Sequence, residues 1–164
     1  MVHTKKPPRE VIDFADKDFV SLDENTLVAE AARIIYERDI CSVIVTRTDG
    51  ERLLRQSVGI ITARDFLHRV VAQSKGPFKL ALKDIMSAPL MIVNKDALTN
   101  DAIMLMKGKN ITRVPVINEA GEVLGIVPLR TLVGKASDET SIQLVLKPSF
   151  IGRTLHHTSF VPVR

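Results

Sequence analysis

Thr62 and Asp65 stand three residues apart, where a run of β-branched residues gives way to Ala63, Arg64, Asp65, Phe66 and Leu67. A hydroxyl three residues ahead of a carboxylate at a helix start is close to a capping box, in which each side chain satisfies a free backbone N–H. Taken alone, the pair reads as a helix cap. Cys41 is the single cysteine; it precedes an apolar strand, has no His near it in sequence, and is expected to be a small buried hydrophobe. His156 and His157 are adjacent, so on a strand they point to opposite faces, and no Cys or acidic residue lies close; no metal site is expected there. The sequence contains no Gly-x-x-x-x-Gly-Lys loop, no nucleophile elbow and no paired catalytic carboxylates. The expectation is therefore a protein that is not an enzyme and requires no cofactor for chemistry.

The elements that must position these residues come from a chain of 164 residues, 45% of them hydrophobic, which is too apolar for a disordered polypeptide. Arg33, Glu37, Arg38 and Asp39 interrupt the most apolar early stretch, so no membrane span of about 18 residues is expected. Residues 1–9 carry Lys5, Lys6 and Arg9 around Pro7 and Pro8 with no apolar run behind them, unlike a secretory leader. One cysteine suits a reducing, cytoplasmic setting. The net charge of +4, from 23 Lys and Arg against 19 Asp and Glu, is scattered among acids, and only 4% of residues are aromatic. Both features argue against nucleic acid as the main partner.

An internal repeat organises the chain. A shift of 71 lays Asp13 on Asp84, Leu27 on Leu98, Ala31 on Ala102, Ile40 on Ile111, Val43 on Val114, Val45 on Val116 and Gly50 on Gly121. After about five extra residues within 52–57 the shift becomes 66, which lays Gly59 and Ile60 on Gly125 and Ile126, and Arg64 on Arg130. Each copy reads as a short strand (19–22 or 90–93), a polar turn suited to cap a helix (Asp23, Glu24 and Asn25, or Asn94, Lys95 and Asp96), and an amphipathic helix. A β-branched strand follows (42–46 or 113–117), then a turn at Asp49-Gly50 or Ala120-Gly121, a third strand (58–61 or 123–127) and a closing helix (63–71 or 129–135). Pro115 has no N–H to donate, which places it at a sheet edge or a strand start. The fold class is α+β: two β-α-β-β-α repeats, each too thin to cover its own sheet, packed about a pseudo-twofold axis. The divisions are a basic arm over 1–10, repeats over 11–72 and 84–135, a linker over 73–83, and a C-terminal extension over 136–164.

The string Gly59, Ile60, Ile61, Thr62, Ala63, Arg64, Asp65, Phe66, Leu67 closing the first copy, and Asp84, Ile85, Met86, Ser87 opening the second, resemble a tandem pair of CBS domains, the Bateman module. So does the run from Ile111 to Val116 followed by Gly121, Gly125, Ile126 and Val127. The resemblance covers about residues 11–135. It implies a regulatory sensor with two pseudosymmetric clefts that take adenosine-containing ligands such as AMP, ADP, ATP, S-adenosylmethionine or NAD as effectors.

By that resemblance the first cleft combines Thr62 and Asp65 with Ala88, Pro89, Leu90, Ile111, Thr112 and Arg113. Asp65 would accept bonds from both ribose hydroxyls, Thr62 and helix-start N–H groups would meet a phosphate, Leu90 and Ile111 would sandwich the adenine, and Arg113 would offer a forked donor. Ile111 could equally be core, and Arg113 a solvated charge. The second cleft would use Phe19, Val20, Ile40, Cys41 and Ser42, but there Pro128 replaces Thr62 and Thr131 replaces Asp65, so one good site per chain is expected. The family also implies a homodimer and a regulated partner protein that the sequence does not name. The alternatives are a constitutive oligomerisation or scaffold module, in which Thr62 and Asp65 only cap a helix, and a nucleic-acid binder using the basic arm. The extension could wrap the module, mediate dimerisation or present a strand to a partner.

Overall fold

A computed structural model of the chain describes residues 9–48 and 55–135. The first eight residues of the arm, the Asp49-Gly50 turn with part of the insertion after it, and the extension with His156 and His157 lie outside the described residues. The first repeat runs β1 (Val20–Asp23), α1 (Val28–Glu37), β2 (Ser42–Thr48), β3 (Arg55–Thr62) and α2 (Ala63–Phe66), which passes into one π-helical turn over Leu67–Val71. The second runs β4 (Val93–Asn94), α3 (Thr99–Lys109), β5 (Arg113–Ile117), β6 (Val123–Pro128) and α4 (Leu129–Lys135). Each forms a three-stranded sheet with its middle strand parallel to the first and antiparallel to the third. The ladder slips register at Val45/Thr46 and again 71 residues on, at Val116/Ile117. No helix among the described residues is long and apolar enough to cross a membrane.

Side-chain alternation along the middle strands builds two cores. Val43 and Val45 pack with Val28 and Ala31 of α1, and Val114 and Val116 pack with Ala102, Ile103 and Met106 of α3. Ile44 and Pro115, on the opposite faces of the same strands, are buried as well, so both middle strands are covered on two sides.

Each core is completed by the segment that precedes the other repeat. A 3₁₀ turn at Val11–Phe14 places Val11 and Phe14 in the core of the second repeat, and another at Leu82–Asp84 places Leu82 in the core of the first, followed there by Ile85. The same segments extend the sheets. Ile60 on the free edge of β3 exchanges both backbone hydrogen bonds with Ser87 (3.1 and 2.9 Å), and Ile126 on β6 does so with Asp16 (2.9 and 2.9 Å). They also satisfy the helix starts. The polar turns expected to cap α1 and α3 do not do so: Asp23 instead accepts a bond from the Asn25 N–H (2.9 Å), and Glu24 pairs with Arg47. The N-cap positions are Leu27 and Leu98, and the orphan N–H groups reach main-chain carbonyls, Val28 to Leu80 (2.9 Å), Ala29 to Pro77 (3.1 Å) and Thr99 to Arg9 (3.1 Å).

Pro115 lies in the middle strand, not at an edge. Its partner Ile126 turns its N–H and C=O outward to Asp16, so the pair Pro115/Ile126 is a non-hydrogen-bonded one and the missing N–H faces β4. The corresponding residue Ile44 faces β1, which pairs over four residues; β4 pairs over only two, Val93 and Asn94. The proline thus shortens β4 and leaves Met91 and Ile92 outside the ladder.

The crossing segments approach so closely that a Cβ at Gly59 would lie 2.7 Å from Met86 Sδ and 3.0 Å from the Ser87 carbonyl oxygen, and one at Gly125 would lie 2.7 Å from the Asp16 carbonyl oxygen and 2.9 Å from Ala15 Cβ. Overpacking costs about 1–3 kcal/mol, at times more. Gly125→Ala is expected at the upper end, because main chain must move, and Gly59→Ala lower, because Met86 can swing away; urea denaturation midpoints of the two variants measure the difference.

Candidate functional site

Two clefts open between the repeats, at positions related by the internal symmetry. The first has a volume of about 390 Å³, within the roughly 300–1,000 Å³ of small-molecule sites. It brings together six of the eight residues expected there: Thr62, Asp65, Pro89, Ile111, Thr112 and Arg113. Ala88 and Leu90 do not line it. Met91, freed by the short β4, does so instead. Ile111 packs against the second core and also faces the cleft. Cys41 is exposed, contrary to the buried role expected of it, because it sits at the α1–β2 junction where both clefts open, and it lines both.

Asp65 is 7% exposed and fully engaged. Its Oδ2 accepts bonds from the Thr62 N–H (2.8 Å) and the Thr62 hydroxyl (2.9 Å), which makes the carboxylate half of a capping box. The Thr62 N–H is therefore not free to meet a phosphate. Its Oδ1 accepts from the Ser87 hydroxyl (3.2 Å) and pairs with Arg69 Nε (3.5 Å). Arg69 in turn donates to the carbonyls of Ile85 (2.7 Å) and Met86 (2.5 Å) and to the Ser87 hydroxyl (3.2 Å). This network ties α2 to the chain that runs into the second repeat.

Arg69 and Ser87 were not foreseen from the sequence. Arg69 is one helical turn beyond Asp65, a spacing that signals an ion pair, but Ser87 reaches Asp65 only through the exchange of leading segments. Arg64 and Asn110 also line the cleft; Asn110 adopts φ 54° at the end of α3, a left-handed turn that Asn tolerates. With the Asp65 charge offset by Arg69, Arg64 and Arg113 leave the cleft cationic.

The second cleft is about 110 Å³. Phe19, Ile40, Cys41, Ser42 and Pro128 line it as expected, whereas Val20 and Thr131 do not; Val20 is held in the β1–β2 ladder, opposite Val43. Asp16, Asp18 and Asp39 stand here where the first cleft has Ser87, Pro89 and Asn110. Arg113 and Arg130 line it as well, so three carboxylates face two guanidinium groups, and the space is too small for a nucleoside.

The model of the CBS domain matches residues 11–72 and 82–138. The chain belongs to the CBS-domain family. It carries a tandem pair, as the two matches and the two sheets agree. An uncharacterized protein of Methanopyrus kandleri is 32% identical over 121 residues, 74% of this chain and 59% of that one. Inosine-5′-monophosphate dehydrogenase of Korarchaeum cryptofilum is 27% identical over 136 residues, 83% of this chain and 26% of the enzyme. The chain thus spans less than two thirds of either relative. A conserved CBS domain protein of Thermoplasma acidophilum shares the fold at a TM-score of 0.74 and 23% identity, over 85% of this chain and 75% of that one. The CBS domain pair of protein MJ0100, solved in complex with 5′-methylthioadenosine and S-adenosyl-L-methionine, superposes with a TM-score of 0.65 at 26% identity, over 78% of this chain and 95% of that one.

Removing the Asp65 carboxylate from this pair leaves the Thr62 N–H and the Ser87 hydroxyl without their acceptor. Asp65→Ala should lower the stability of the ligand-free protein by about 1–3 kcal/mol, the usual cost of unmaking buried hydrogen bonds, read as a fall in the urea midpoint at unchanged slope.

Proposed function

We propose that the chain is a regulatory module, not an enzyme, that binds an adenosine-containing effector in the first cleft and signals by a change of conformation or association. The observation that carries this reading is the 390 Å³ cleft, in which the Asp65 carboxylate, the Arg64 and Arg113 guanidinium groups and an apolar wall meet. Asp65 receives the ribose hydroxyls, since an ionised carboxylate can accept from both members of a diol. Ile111 and Met91 flank the adenine. Arg113 and Arg64 face the phosphate end, which favours AMP, ADP or ATP over the sulfonium of S-adenosylmethionine. The adenosyl compounds bound by the MJ0100 pair support the class of ligand. The second cleft stays without a nucleotide. Tyr36, Leu67 and Val71, apolar and well exposed on α1 and the turn after α2, support association into a homodimer.

Calorimetry and thermal shift with AMP, ADP, ATP, S-adenosylmethionine, methylthioadenosine and NAD test the reading. A ligand at 100 times its Kd should stabilise the protein by about 2.7 kcal/mol. Asp65→Asn should weaken every adenosyl ligand, while Arg113→Ala should weaken AMP but leave methylthioadenosine unchanged. If none of the six shifts the wild type at millimolar concentration, the sensor reading falls and the scaffold reading takes its place.

A further inference from the structure

We propose that residues 85–87 form a latch on the first repeat, and that a ligand opens it by displacing Ser87 and Arg69 from Asp65. The inference rests on the ribose-binding reading of Asp65 and adds how occupancy is transmitted.

A carboxylate has about four acceptor sites, and Asp65 makes three hydrogen bonds and one ion pair within the chain. The two partners at Oδ2 are the N–H and hydroxyl of Thr62, three residues away, at 2.8 and 2.9 Å. They belong to the same strand-to-helix corner and cannot leave without unfolding it. The two at Oδ1 are longer: Ser87 at 3.2 Å and Arg69 at 3.5 Å. A ribose diol that docks on Asp65 brings two hydroxyl donors, and Oδ1 is where they replace weaker partners. Arg69 has the freedom to move, with a side chain 40% exposed.

Ser87 and Arg69 also help hold the segment 85–87. Arg69 grips the carbonyls of Ile85 and Met86, and the Ser87 main chain pairs with Ile60 at the edge of β3. Once Oδ1 is given to the ligand, the Ser87 side chain loses its acceptor and Arg69 loses the charge that orients it. The segment 85–87 then keeps the Ile60 pair, the bonds from the Ile85 and Met86 N–H groups to the Leu82 carbonyl (3.1 and 2.8 Å) and the buried Ile85 side chain, and its Ser87 end is the part that loses side-chain support. It leads directly to Met91 in the cleft wall and on to β4, so its release reaches the second repeat. The corresponding position on the other edge is Asp16, which has no carboxylate opposite it because Thr131 stands where Asp65 would, so the two sides of the module respond differently.

Hydrogen exchange of the full chain with and without AMP tests the latch. The amides of Ile60 and Ser87 should lose protection when AMP binds, against a gain elsewhere in the cleft. Ser87→Ala removes one competitor for Oδ1 and should bind AMP about three- to tenfold more tightly, the worth of one hydrogen bond. If AMP binds but protection at Ile60 and Ser87 rises with the rest, or Ser87→Ala leaves the affinity unchanged, the latch is wrong and the ligand site stands. If AMP, ATP and S-adenosylmethionine bind neither wild type nor Ser87→Ala, the ligand reading fails and the latch fails with it.

Discussion

The paired backbone hydrogen bonds between Ile60 and Ser87, and between Ile126 and Asp16, are the joints on which the molecule is assembled. A sheet of three short strands has two exposed edges and too little surface to bury a core. Here the outer edge of each third strand is closed by a segment from outside its own repeat, and the same segments carry Val11, Phe14, Leu82 and Ile85 into the cores and carbonyls to the helix starts. Gly59 and Gly125 exist at these joints because main chain passes where a side chain would be. The clefts lie beside the joints, which explains how Ser87 and Asp16 come to line them.

Much of this was legible in the sequence. The shifts of 71 and then 66 set out the order of elements in both copies, and the β-branched runs at 42–46 and 113–117 became the two middle strands. Thr62 and Asp65 lie side by side in the wall of the first cleft, and their bond is the local capping contact that their spacing suggests. What escaped the sequence depended on exchange between repeats: helix starts capped by remote carbonyls instead of Asp23 or Asn94, and a carboxylate bonded to a serine 22 residues away. Pro115 shows a correct local rule leading to the wrong place. Its lack of an N–H did require a missing neighbour, but the neighbour withdrew and the strand stayed central.

The two clefts differ for reasons traceable to single residues. Pro115 shortens β4 and turns Met91 toward the first cleft, whereas Ile44 keeps β1 paired and Val20 out of the second. Arg113 reaches both clefts, but Asp16, Asp18 and Asp39 add to the second carboxylates that the first does not have, where Ser87, Pro89 and Asn110 stand instead. One duplicated scaffold thus carries two sites of different size and lining.

The exchange of leading segments has a consequence for how such a molecule holds together. A chain with only one copy could bury its leading segment solely on a second chain, so its folding would be second order and would fail on dilution. Joining the copies through a linker turns that encounter into an intramolecular one, at an effective concentration set by the linker and independent of how much protein is present. The unit repeated in the sequence is therefore not the unit that folds: neither half has a complete core without the other, and the smallest cooperative body is the pair.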